Sequence, residues 1–121
     1  MEEAPQDPWR LGARLFDAGE FWECHEALEP AWLTSAGTER QFLGGVILLA
    51  AALHKARSMG SGRGGRRNYA KALTKLALVG DRFNGVDVRE LEARVHAALR
   101  RSDVTPTIPY SEMEDDNRDA E

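Results

Sequence analysis

The sequence predicts an all-α fold, a single-domain bundle of about five helices with no sheet, and three observations carry that expectation. Apolar residues recur at three- and four-residue spacing through residues 8–101, the period of helices that turn one face to a core. Capping residues and a proline stand where these segments open, and glycines stand where several of them close. No stretch alternates with the period of two that a half-buried strand needs, and there is neither a fixed repeat nor a sustained heptad. With 121 residues, 42% hydrophobic and 30% charged, the composition is that of one globular domain.

The first helix opens with Asp7 as N-cap and Pro8 at its first position, runs through Trp9, Leu11, Leu15 and Phe16 to Ala18, and ends at Gly19. A second begins near Glu20; Pro30 lacks the amide that would bond back to Glu26, so a kink or loosened turn is expected there. Ser35-Ala36-Gly37 forms the turn, and Thr38 with Gln41 reads as a capping box for the third helix. Phe42, Leu43, Val46, Ile47, Leu49, Ala50 and Leu53 cover so much of that helix that it belongs at the centre of the bundle, with Gly44-Gly45 allowing a neighbour close. Fraying is expected by Ser58, followed by a flexible basic loop from Met59 to Gly65. A fourth helix then runs to Gly80, and Asp81–Gly85 is a turn. Asp87 with Glu90 repeats the capping box for a fifth helix ending near Arg101. The domain is thus 8–101, with 1–7 disordered and 102–121 extended around Pro106 and Pro109 before an acidic, disordered tail.

The net charge of −4 is unevenly placed. Residues 111–121 hold six acids against Arg118, whereas no acidic residue lies between Glu39 and Asp81. That middle segment is expected to be electropositive, and the tail to be able to fold back on it. Nucleic-acid binding through Arg57, Arg63, Arg66 and Arg67 is the weaker expectation, since Tyr69 is the one aromatic among them. Arg66-Arg67 at a helix start could hold a phosphate, but Gly-Ser-Gly-Arg-Gly-Gly does not match a phosphate loop and reads first as a solvated linker. No apolar run approaches the roughly 20 residues of a membrane span, and the acidic start does not resemble a signal peptide, so no membrane is expected and the compartment reads as cytoplasmic. The single cysteine, Cys24, excludes an intramolecular disulfide and reads as a packed thiol.

Phe21 to Trp32 departs most from what a plain helix needs. On a helical wheel Phe21, Leu28 and Trp32 fall to one side of His25, while Glu29 and then Trp22 fall to the other, which places His25 and Glu29 within an aromatic and aliphatic arc. His54 projects likewise from the face of Leu43, Ile47, Ala50 and Ala51. His25, Glu29 and His54 would make the two-histidine, one-carboxylate set that takes a divalent metal such as Zn²⁺, Mn²⁺ or Fe²⁺. Glu26 stands where the glutamate of an HExxH zinc helix acts as general base, and Trp22 and Trp32 would wall a bound cofactor. Two readings stay open. One is a metal-binding or acid/base hydrolytic site. The other is a non-enzymatic interaction module, a homo-oligomer, in which a histidine–carboxylate pair fixes two helices together.

Phe16 to Trp32, followed by Phe42 to His54, resembles the prokaryotic family called domain of unknown function 309, over roughly residues 9 to 100. His25, Glu29, Trp32 and His54 match its pattern of a histidine, three residues, a glutamate, two residues and a tryptophan, then a glycine-containing apolar helix ending in a histidine. Gly44 departs from the glutamine expected before the glycine. The resemblance implies a small all-helical bundle with metal binding suggested for the motif, and supplies no substrate.

Overall fold

The computed structural model describes residues 7–110; the expectations for residues 1–6 and for the acidic stretch 111–121 lie outside the described residues. Helix α1 (Pro8–Asp17) opens as its sequence directs, the Asp7 carboxylate accepting from the Trp9 N–H at 2.9 Å. Gly19, at φ +80°, turns the chain into α2 (Phe21–Thr34). Pro30 neither kinks nor ends α2, which stays helical through it. Pro30 and Glu26 both lie on the exposed side, where the Glu26 carbonyl that loses an N–H partner is open to water. The last turn is secured by Arg40, whose Nη1 donates to the Trp32 carbonyl at 3.0 Å and places a cation at a helix C-terminus.

Helix α3 (Gly37–Arg57) begins one residue before Thr38, with Ala36 as an N-cap that makes no side-chain bond, so the Thr38–Gln41 capping box is not formed. Its Phe42, Val46, Leu49, Ala50, Ala52 and Leu53 are all fully buried, and α2, α4 and α5 pack around it. Helix α4 (Gly62–Leu76) corrects a third expectation: the glycine run that reads as a loop is the first turn of this helix. Ser61 Oγ accepts from the Gly64 N–H at 2.9 Å and caps the end. A Cβ at Gly65 would stand 3.0 Å from the Ala52 carbonyl oxygen, so the glycine lets α4 close on α3. The helix stops at Leu76, before the expected Gly80.

A short antiparallel ribbon follows, β1 (Arg82–Phe83) with β2 (Val86–Asp87), where the sequence predicts no sheet. Asn84 and Gly85, at φ +55° and +76°, make the tight two-residue turn that Asn-Gly favours. Helix α5 (Val88–Arg100) is capped by Asp87 Oδ1, which accepts from the Glu90 N–H at 3.0 Å. Its C-terminal end is held by Arg57 of α3, which donates to the carbonyls of Ala98, Arg101 and Val104. The extended 105–110 segment then lies on the body as Ile108 packs into the core, with Tyr110 bridging Val86. The Asp17 carboxylate accepts from the Ile108 N–H at 2.7 Å. Burial raises the Asp17 pKa, and that hydrogen bond and Arg94 pull it back.

The α3–α4 contact is closest at Gly45, where a Cβ would stand 2.4 Å from Leu76 Cδ2. At neighbouring Gly44 it would meet Lys75 Cδ and Trp32 Nε1, each at 3.1 Å, the first of which is flexible stem. Gly45→Ala is expected to lower unfolding free energy by about 1–3 kcal/mol through overpacking, while Gly44→Ala stays within about 1 kcal/mol because helix propensity offsets the crowding. Chemical denaturation of the two variants checks the difference.

Candidate functional site at the seam of α2 and α3

Helix α2 buries Phe21, Cys24 and Leu28. On the helical wheel that face is centred well to one side of His25, so the ionisable residues sit on the rim of the seam and not within the core. His25 and His54 are half-buried, Glu29 and Glu26 are exposed, Trp22 is 44% exposed and Trp32 half-buried. Among the described residues no polar or charged side chain is fully buried in the core.

What the seam brings together is two imidazoles and one indole. The Trp22 ring lies 4.8 Å from His25 and 5.1 Å from His54, centroid to centroid, at interplanar angles of 33° and 39°. The start of α2 and the end of α3 thereby meet through three stacked rings. His25 Nδ1 is buried and has no hydrogen-bond partner. An imidazole nitrogen removed from water without a partner costs about 1–3 kcal/mol, which is the kind of deficit that a bound group removes. His54, Trp22, Glu20, Glu23, Ser58 and Met59 line an open depression of about 730 Å³ beside this stack.

Glu29 is one turn beyond His25 and makes no hydrogen bond or ion pair among the described residues. It borders a smaller slot of about 260 Å³ with Trp32, Gly44, Ile47, Leu48 and Lys75. Sequence reasoning missed the two cations that shape this end. Arg40 lies over the Trp32 ring, 4.3 Å from its centroid, and Lys75 crosses from α4. Neither carries a local signal, because both contacts are made between helices.

Glu26, one turn beyond Trp22, likewise makes no hydrogen bond or ion pair among the described residues. Among the described residues no three His, Cys, Asp or Glu side chains stand close enough together to hold a metal ion. The Trp22 ring contacts both imidazoles, whereas Glu29 borders a different slot. No helix of the described residues is long and apolar enough to cross a membrane.

Cys24, next to His25, is fully buried. Burial, helped by the negative charge of Asp17, pushes its thiol up to about 12. The native protein at pH 8 is therefore expected to leave Cys24 unmodified by iodoacetamide over hours, while denatured protein labels fully, as intact mass spectrometry would read.

The sequence profile of the family described as Domain of unknown function (DUF309) matches residues 9–68. Among solved structures, the crystal structure of a conserved hypothetical protein from Thermus thermophilus is similar to this chain, at 41% identity and a TM-score of 0.69. The match covers 81% of this chain and 99% of that one. No curated protein matches.

Proposed function

The chain belongs to the Domain of unknown function (DUF309) family, whose description assigns no activity, and from the α2–α3 seam we propose that it binds a divalent transition-metal ion. The observation that carries this reading is the buried, unpartnered His25 Nδ1, on a ring that shares the Trp22 indole with the His54 imidazole. Imidazole nitrogen suits Zn²⁺ and Fe²⁺, and a carboxylate donor would extend the set to Mn²⁺. Glu29 is the carboxylate within one helical turn, and its lack of a partner leaves it free to turn inward. The ion supplies Lewis acidity when bound. The residues fit it in part: both imidazoles contact the same indole, and a third donor would have to move to complete a site. That supports binding, so no hydrolytic step is given to Glu26.

One observation favours a second reading, an assembly module. Trp22 and Met59, 44% and 60% exposed, border the same depression and would be covered in a homo-oligomer, with the ring stack acting as a clamp between α2 and α3.

Titration of chelator-treated protein with Zn²⁺, Mn²⁺ and Fe²⁺, followed by thermal unfolding, separates the two. A stoichiometric ion held a hundredfold above its Kd adds about 2.7 kcal/mol, an increase that His25→Ala and His54→Ala abolish and Glu29→Gln reduces. No shift with any of the three ions, together with concentration-dependent self-association lost in Trp22→Ala, would replace metal binding with assembly.

A further inference from the structure

The first turns of α4 face the last turns of α5 across a third cavity, of about 460 Å³. Gly62, Arg66 and Tyr69 line it from α4, at the spacing that puts three residues on one helix face, and His96, Leu99 and Arg100 line it from α5 in the same way. The volume is within the range of small-molecule sites. Two guanidiniums therefore share one concavity. Neither Arg66 nor Arg100 has a carboxylate partner among the described residues, where the arginine ion pairs are Arg89 with Glu92, Arg94 with Glu90 and Arg101 with Asp103.

The fold has also removed the usual reasons for cations at this place. Arg100, in the last turn of α5, would ordinarily serve the free carbonyls of a helix end. Arg57 already takes those of Ala98 and Arg101 and continues to Val104, so Arg100 remains available to the cavity. Arg66 stands in the early turns of α4, where positive charge opposes the helix dipole, and Arg63 and Arg67 lie beside it with no acid in the first turn. Three exposed cations are thus gathered at this helix start with no acid in its first turn. The other wall suits the apolar part of a ligand. The Tyr69 and His96 rings lie 5.6 Å apart at an interplanar angle of 44°, and Leu99 lies beside them. Tyr69 is fixed there because its hydroxyl donates to the Glu92 carbonyl at 3.0 Å.

We propose that this α4–α5 cavity binds a small phosphate monoester, its phosphate between Arg66 and Arg100 and its planar or apolar portion on Tyr69, His96 and Leu99. Each guanidinium fork takes two oxygens, so the three terminal oxygens of a phosphate monoester can engage two forks together, whereas one carboxylate fills a single fork. The site is separate from the α2–α3 seam and stands whether or not that seam takes a metal.

The experiment is calorimetric titration of the full chain at low ionic strength with adenosine 5′-monophosphate, alongside adenosine and inorganic phosphate. The expected result is saturable one-to-one binding of the monophosphate, at least tenfold weaker in Arg66→Gln and in Arg100→Gln. Arg63→Gln, which lies outside the cavity, should change it less than threefold. Adenosine and inorganic phosphate should each bind at least tenfold more weakly than the monophosphate. The variants alter exposed side chains, and circular dichroism verifies their folding. No saturable binding of the monophosphate at millimolar concentration, equal binding of adenosine or of inorganic phosphate, or an equal loss in Arg63→Gln would each overturn the proposal.

Discussion

Every other placement in the molecule depends on the near-complete burial of α3. A helix whose Phe42, Val46, Leu49, Ala50 and Leu53 are all fully buried cannot lie at a surface, so α2, α4 and α5 must cover it. Gly45 sets how close α4 can come, since Leu76 occupies the space where a side chain would begin. Arg57, at its far end, then ties the close of α5 and the following chain to the same axis through three carbonyls. The bundle is one cooperative unit built on a single rod.

Both candidate sites are consequences of that arrangement. The end of α3 delivers His54 to the start of α2, where Trp22 and His25 meet it in a ring stack. The opening of α4 meets the close of α5, and two arginines without carboxylate partners share the space between. His25 Nδ1 is buried without a partner, and the early turns of α4 gather Arg63, Arg66 and Arg67 with no acid in the first turn. Local rules of helix construction are broken at these two places, while the capping of α1, α4 and α5 follows them.

The parts of the fold that are legible in the sequence are those fixed by neighbours in the chain. Asp7-Pro8 and Asp87 mark helix starts because the capping bond reaches two or three residues. The apolar wrap of α3 is legible for the same reason, as it needs no knowledge of the partner. Asn84-Gly85 does announce a hairpin, but strands of two residues show no period, so the ribbon escapes a periodicity argument. The Gly62–Gly65 run looks like a loop because glycine is a poor helix former; its reason to be helical, the close carbonyl of Ala52, is a tertiary contact. The aromatics of α2 mislead in another way. The sequence sets Phe21, Leu28, Trp22 and Trp32 together around His25, whereas Phe21, Cys24 and Leu28 fill the inward face and the tryptophans cover the rim. Residue type and helix spacing therefore single out His25, Glu29 and His54, but not their depth or the distance of Glu29 from a shared centre.

The proposed metal site implies that the unpartnered His25 nitrogen costs the fold stability, and the unfolding free energy of His25→Phe in chelator-treated protein measures that cost most directly. An apolar ring at this position removes the unsatisfied nitrogen and keeps a face for Trp22. Stability should therefore be unchanged or raised by up to about 1–3 kcal/mol, with stabilisation by Zn²⁺ lost. A loss of more than about 1 kcal/mol in the same protein would contradict this, because it would mean that the imidazole itself holds the two helices together.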